Sequence, residues 1–483
     1  MTASPPTPPT GDLVLCVDLD GTLLRGDTLL ETAIELLRSN PGALLQFPFW
    51  LRCGRAHFKQ EVARRVEIDP RRWSYRAEVV AFVERERTRG RPLALATAAD
   101  VRIATAVAAH LGGFGEVFAS DGSVNLKGAR KAARLTERFG ARGFVYVGDS
   151  RADLPVWERA AAAIVVGPCP RLEAEVARHV PIEARLAVER SPRRVAALLR
   201  LARPHQWIKN LLLFVPLLTA QRFSSGDAWL ACALGMTALS LVASAVYAVN
   251  DVVDAAADRQ HRRKRHRPLA SGELAPAAAL RFAGCALVAG AVVATALPAA
   301  FAGWLAVYVG AAIGYTLWLK PLPIVDVITL AFLYVLRLLL GAAAIGVPAS
   351  AWLLSFAALL FGSLALLKRY VELTEAGSDR AQRVPGRGYR RSAGSAIAAL
   401  GLAAGALSTA VIAAYVPSAE AAAYYRGPIW LWGLAPLVGL WIARAWHAAL
   451  RGSIHDDPVV HALRDPMSYA VVAAMVLLTA LAR

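Results

Sequence analysis

Asp18-Leu19-Asp20-Gly21-Thr22 sets two carboxylates two positions apart, directly after the apolar run Leu13 to Val17. A carboxylate attacks phosphorus only when a cation and a lysine offset the negative charge around it. A second carboxylate two residues on can protonate the leaving oxygen. Two more apolar runs end in residues suited to the same chemistry. Pro92 to Ala96 stops at Thr97, and Gly143 to Val147 stops at Gly148-Asp149-Ser150-Arg151-Ala152-Asp153. Lys127 and Lys131 stand between those two. A separate constellation is Asn250-Asp251-Val252-Val253-Asp254-Ala255-Ala256-Ala257-Asp258. On a helix its three aspartates share one face, and Asn250 neighbours Asp254. Carboxylates that close repel one another unless a divalent cation holds them, and Mg²⁺ bridging to a diphosphate suits that donor set. Such groups are costly at membrane depth, so their convergence there points to chemistry.

Short buried strands that stop at polar residues deliver them to the C-terminal edge of a parallel sheet, where doubly wound folds bind ligands. The stretch 26–90 is too long for a simple crossover and reads as a helical insertion over the sheet. Leu44 to Arg52 in that stretch is aromatic, then turns basic through Arg55, His57 and Lys59. That composition fits both a membrane-interface surface and a cap core. After Arg203 the chain changes character. Nine apolar segments follow, near 207–222, 227–249, 278–299, 302–319, 324–346, 350–367, 393–415, 428–446 and 467–482, each near the ~20 residues a spanning helix needs. Basic residues crowd the loops 259–267 and 368–391. Positive-inside logic puts those loops in the cytoplasm beside the N-terminal half. With 56% hydrophobic and 19% charged residues the chain is too apolar for an ordinary soluble enzyme,. Its net charge of +18 falls in short loops rather than along one surface, which excludes nucleic acid as a partner,. The five cysteines form no CxxC pair, so neither disulfides nor zinc are expected,. MTASPPTPPT lacks the pattern of a signal peptide,.

The four N-terminal motifs in this order resemble the haloacid dehalogenase (HAD) superfamily. The resemblance implies an α/β Rossmannoid phosphatase domain over 12–170, with a helical cap at about 26–90, after a disordered 1–11. It implies Asp18 as nucleophile, Asp20 as acid/base, Thr97 on a phosphate oxygen, and Mg²⁺ held by Asp18, Asp20 and Asp149 with Asp153 in support. Lys127 fits the spacing of phosphoserine-phosphatase-like members, and Lys131 is the alternative. The aspartate-rich stretch 250–258 is similar to the first such motif of the UbiA superfamily. That likeness implies an all-α, polytopic membrane domain of about nine transmembrane helices over 201–483, joined by a linker at 171–200, with Mg²⁺ on Asp251, Asp254 and Asp258.

Most UbiA members carry a second aspartate pair. Here the equivalent stretch Tyr315 to Asp326 ends in a single carboxylate, Asp326, and Arg337 follows inside an apolar helix. These departures resemble the decaprenyl-phosphate phosphoribosyltransferases of mycobacteria and relatives. Arg203 to Asn210, Arg267 to Gly272, Lys368 to Glu372 and His455 to Val460 fit that branch too. The branch implies phosphoribosyl pyrophosphate (PRPP) as donor and a polyprenyl phosphate as acceptor. Asn250, Asp326 and the cations Lys209, Arg267, Lys320, Arg337, Lys368 and Arg369 are then the substrate-binding set, with Asp251, Asp254 and Asp258 the catalytic centre. The product bears a 5-phosphate that the N-terminal domain is expected to remove. A multi-pass protein of the bacterial inner membrane is the expected setting, with the HAD domain cytoplasmic and homo-oligomerisation left open. The competing expectations are a prenyltransferase using a prenyl diphosphate and a small acceptor, a regulatory HAD domain, and a transporter.

Overall fold

In the computed structural model, residues 12–167, 169–187, 194–260, 264–375, 388–453 and 465–483 are described. The expected disordered tail 1–11, the stretch His455 to Val460, and Arg262 and Arg263 of the basic loop lie outside them. The chain divides into two units, one of Met1–Leu201 with Asp251–Phe282 and the other of Ala202–Asn250 with Ala283–Arg483.

The first unit is built on six parallel strands: β1 (Val14–Val17), β2 (Leu93–Asp100), β3 (Phe114–Ser120), β4 (Phe144–Gly148), β5 (Ala162–Val166) and β6 (Ile182–Leu186), in the order β3-β2-β1-β4-β5-β6. β6 falls within the stretch expected as linker, so the sheet runs past residue 170. Alternation along the strands sorts side chains to two faces. Leu15, Val17, Val145 and Val147 enter one core, while Cys16, Phe144 and Tyr146 enter the other. The central position of β1 follows from its register, with Val17 paired to both Leu95 and Val147.

Between β1 and β2 lie four helices: α1 (Thr28–Ser39), α2 (Ala43–Arg52), α3 (Arg55–Arg64) and α4 (Ala77–Thr88). Two more, α5 (Val101–Leu111) and α6 (Ala129–Phe139), flank the sheet. Val79, Phe82 and Val83 of α4 pack on the sheet core, whereas Leu36, Ala43, Trp50, Phe58 and Val62 of α1–α3 form a core of their own. The aromatic stretch divides by face. Trp50 is buried, with Phe47 packed against it and against Phe58, and Leu44, Leu45 and Phe49 are exposed.

Among the described residues seven helices are long and apolar enough to cross a membrane: Gly226–Arg259, Pro276–Ala294, Ala299–Leu319, Val325–Ala344, Ala351–Thr374, Gly394–Tyr415 and Pro428–Leu450. The expected count of nine is therefore not reached. The ninth segment is the shorter apolar helix Pro466–Ala482. The first is a 3₁₀ stretch, Pro204–Phe214, followed by a short α-helix, Val215–Thr219. Pro204 and Pro216 supply no N–H, and each stands in the first turn of its own element rather than within one continuous helix,. The second unit buries Leu213, Leu217, Leu239, Phe301, Leu336 and Leu340 in one cluster and Leu367, Ile397, Ile442 and Trp446 in another.

Candidate active sites

The parallel register brings the ends of β1, β2 and β4 together, so the chain's first candidate site assembles without any long-range adjustment. Asp18 continues β1 on the face that carries Cys16 and Tyr146. The same face receives α6 through Lys131, Ala132 and Leu135. Lys131 Nζ donates to Asp18 Oδ1 at 2.8 Å and to the Tyr146 hydroxyl at 2.7 Å. Tyr146 donates in turn to Asp153 Oδ1 at 3.0 Å. Of the two lysines the sequence offered, it is Lys131 that pairs with Asp18 among the described residues. The physical reason is local: Gly128 caps α6 with φ 56°, so Lys127 precedes the helix while Lys131 sits on its buried face. Lys127 lines the same cavity without an ion pair among the described residues.

Asp20 turns away from Asp18 and accepts from the Thr28 amide at 2.9 Å and its hydroxyl at 3.2 Å, at the start of α1. Thr97 Oγ1 accepts from the Ala99 amide at 3.0 Å. The Thr22 hydroxyl donates to Asp149 Oδ1 at 3.4 Å. Asp153 accepts from the Ser150 amide and hydroxyl, both at 3.2 Å. Gly21 has φ +80°, and a Cβ there would stand 2.7 Å from Asp149 Oδ2, so the turn that lets Asp149 approach requires glycine,.

Among the described residues one trio of carboxylates has ligand oxygens all within 4.8 Å of one another: Asp18, Asp149 and Asp153. Asp153, expected in a supporting role, stands in this group, and Asp20 does not. Burial pushes Asp18 up to about 7, with Lys131 opposing and Asp153 reinforcing the shift. Burial and then Asp153 raise Asp149 to about 6. Desolvated carboxylates this close, all oxygen donors, fit Mg²⁺, whose charge would restore the ionised form needed for attack. Asp20 is raised to about 6 by burial and by Asp27, which suits a group that gives and takes a proton near neutrality,. A cavity of ≈ 390 Å³ opens over these residues, bounded on the cap side by Leu29, Leu51, Arg55, Phe58 and Lys59. Sequence reasoning missed Tyr146 and Thr28. The one signal for Tyr146 was a polar tip in an otherwise apolar buried strand.

The second aspartate group lies in the last turns of the helix Gly226–Gln260. Asp251, Asp254 and Asp258 are all buried. Arg267 Nη1 donates to Asp258 Oδ2 at 2.7 Å and to Asp251 Oδ1 at 3.3 Å, spanning two of the three. Helix C-termini carry partial negative charge, so carboxylates there favour nearby cations, and Arg267 supplies one to Asp251 and Asp258. The following loop ties back to the N-terminal domain within the same unit. Arg259 pairs with Glu31 of α1 at 3.1 Å, Arg25 donates to the Ser271 carbonyl at 3.0 Å, and Arg200 pairs with Glu273.

In the second unit Thr316 donates to Asn250 Oδ1 at 3.4 Å. Arg337 is buried, donating to Asn210 Oδ1 at 3.1 Å and to the Leu333 carbonyl, with the Tyr308 and Tyr334 rings against its guanidinium. Lys209 lies over Tyr334 as well. Asp326 is fully buried, where it accepts from Arg369 Nε at 2.5 Å and from the Tyr389 hydroxyl at 2.6 Å. Arg369 also holds Glu372 and Tyr315. Asp326 and Arg369, expected to contact substrate separately, are thus partners. Lys320 and Lys368 are half-buried.

The UbiA prenyltransferase family matches residues 211–462, and the haloacid dehalogenase-like hydrolases match residues 15–158. Protein y4nM of Sinorhizobium fredii is 36% identical over 95% of this chain and 89% of its own length. Nodulation protein NoeC of Azorhizobium caulinodans is 34% identical over 57% of this chain and 89% of its own. Decaprenyl-phosphate phosphoribosyltransferase of Mycolicibacterium smegmatis is 34% identical over 41% of this chain and 63% of its own.

Proposed function

The chain belongs to the UbiA prenyltransferase family and carries a HAD hydrolase domain at its N-terminus, and from that premise we propose that its two sites act in succession on one lipid-linked sugar phosphate. The membrane domain transfers 5-phosphoribose from PRPP to a polyprenyl phosphate. The bond from ribose C1 to the pyrophosphate oxygen breaks, pyrophosphate departs, and a lipid phosphate oxygen bonds to C1. That oxygen is already anionic, so no strong base is required; charge neutralisation and positioning carry the step. Asp251, Asp254 and Asp258 would hold Mg²⁺ against the pyrophosphate, with Arg267 beside them. Arg369 acts on Asp326 and orients it.

The single observation that carries the donor assignment is the state of Asp326. It is paired with Arg369 and Tyr389 and lacks a second carboxylate four positions on, where Leu330 stands. A site with one aspartate-rich motif and a buried arginine suits a phosphorylated sugar better than two Mg²⁺ ions around a prenyl diphosphate. The similarity to decaprenyl-phosphate phosphoribosyltransferases supports the same reading.

The HAD domain then removes the 5-phosphate. Asp18 attacks phosphorus, Asp20 protonates the departing O5 of ribose, and the same carboxylate takes a proton from the water that releases inorganic phosphate from Asp18. Lys131 and Thr97 hold the phosphoryl oxygens. In this reading the HAD domain lies in the cytoplasm and the chain in a bacterial inner membrane.

The test is to incubate the purified full-length protein with Mg²⁺, polyprenyl phosphate and labelled PRPP and to weigh the lipid products. Wild type should give lipid-linked ribose, Asp18→Asn should accumulate its 5-phosphate, and Asp251→Asn should make neither. Consumption of a prenyl diphosphate with a small acceptor, and no lipid product from PRPP, would replace this donor with the ordinary prenyltransferase one.

A further inference from the structure

Lys59 projects from α3 of the cap into the cavity that holds Asp18 and Asp20. Its Nζ donates to the Ala98 carbonyl at 2.5 Å and to Asn125 Oδ1 at 2.9 Å, both neutral acceptors. Among the described residues no carboxylate lies within ion-pair distance of it, whereas Lys131 across the same cavity is paired with Asp18 and Asp153. An ammonium drawn out of water without an ion pair is costly, and an anion placed beside it would offset that cost through a charge-assisted hydrogen bond. Arg55, one helical turn earlier, lines the cavity too, so α3 presents two cations along one side.

The place of Lys59 tells which part of a substrate it meets. The phosphoryl group that transfers is already served by Lys131, Thr97 and the carboxylate trio that fits a divalent cation. Lys59 comes from α3, outside the strand ends that carry Asp18 and Thr97, and it shares the cavity lining with Asp20, Asp27 and Leu29; Asp20 is the group proposed to address the leaving oxygen. Lys59 therefore faces the alcohol portion, beyond the bond that breaks. We propose that Lys59, with Arg55 in support, is a specificity-determining residue that binds a second anionic group, of phosphate type, on the alcohol portion of a phosphate monoester. This deepens the phosphatase reading above and rests on it: a ribose 5-phosphate linked through C1 to a lipid phosphate carries such a second anion.

The experiment uses full-length protein in detergent with Mg²⁺ and follows release of inorganic phosphate from two compounds, ribose 5-phosphate and the same sugar bearing a methyl phosphodiester at C1. Wild type should favour the diester-bearing compound in kcat/KM by about tenfold or more, the worth of one well-placed charge contact at ~1.4 kcal/mol. Lys59→Met should bring that ratio close to one, and Lys59→Arg should restore part of it, which a merely misfolded cap would not do. An unchanged ratio in Lys59→Met, or an equal loss on both compounds, overturns the proposal and leaves the phosphatase reading standing. Hydrolysis of para-nitrophenyl phosphate with turnover of neither ribose compound overturns the substrate reading beneath it, and the proposal with it.

Discussion

Replacing Lys131 by methionine tests the phosphatase geometry most directly. The Nζ lies 2.8 Å from Asp18 Oδ1 and 3.7 Å from Asp153 Oδ1, with all three side chains buried at the floor of the cavity. At an effective dielectric of about 20, the closer pair alone interacts by roughly 6 kcal/mol before desolvation is counted. Most of that is offset in the resting enzyme, because Asp18 is raised to about 7 mainly by burial and takes up a proton readily once its cation is gone. The transition state has no such relief: the transferring phosphoryl group keeps its charge, and losing one preorganised donor costs about 3–4 kcal/mol, or 10²–10³ in kcat. Lys127→Met removes a side chain with no ion pair among the described residues, and its effect should stay below about tenfold. Hydrolysis of para-nitrophenyl phosphate by the full-length protein with saturating Mg²⁺ reads both variants, with circular dichroism to confirm folding. A well-folded Lys131→Met that retains activity, or a Lys127→Met that loses as much, would refute the assignment of the lysine.

Four further outcomes are expected. Gly21→Ala forces φ +80° on a residue with a Cβ and drives that atom onto Asp149; phosphatase activity should fall more than tenfold, with about 1–2 kcal/mol lost in a denaturant melt. Glu31→Gln removes the charged partner of Arg259, whose Nε already lacks a hydrogen bond, so thermal unfolding should report a loss of roughly 1–3 kcal/mol. Arg369→Met strands the buried Asp326 and should cost about 3–5 kcal/mol, while the double variant Asp326→Leu/Arg369→Met should be clearly milder in the same melt,. Chelation with EDTA should abolish phosphate release and added Mg²⁺ should restore it; activity that survives chelation would contradict the cation site at Asp18, Asp149 and Asp153.

Much of the candidate site in the HAD domain was legible because the sequence states it locally. Each of Asp18, Thr97 and Asp149 ends or continues an apolar run, and their meeting at one rim follows once the runs are parallel. Lys131 was not legible by spacing from Asp149, since what decides is helical phase: Lys131, Ala132 and Leu135 share the buried side of α6, and Lys127 lies before its cap. The membrane half was readable in its long apolar segments and misread at its first, where two prolines break an apolar stretch of suitable length. Asp326 was named without its partner, because nothing short-range links it to Arg369, 43 positions away.

The contacts that join the aspartate-rich loop to the N-terminal domain were beyond sequence reading altogether, as they pair residues 228 and 246 positions apart. They converge on one short segment. Arg25 and Glu31 bracket Thr28, and Thr28 fixes both oxygens of Asp20. Arg259 follows Asp258, which shares Arg267 with Asp251. Hydrogen bonds, ion pairs and short stretches of chain therefore lead from Asp20 to Asp258 and Asp251. Two enzymes fused by a tether alone would need none of these. Pairing buried or half-buried charges across separate stretches of chain costs desolvation that a linker avoids, so their presence argues that the first turn of α1 serves both sites as a common support.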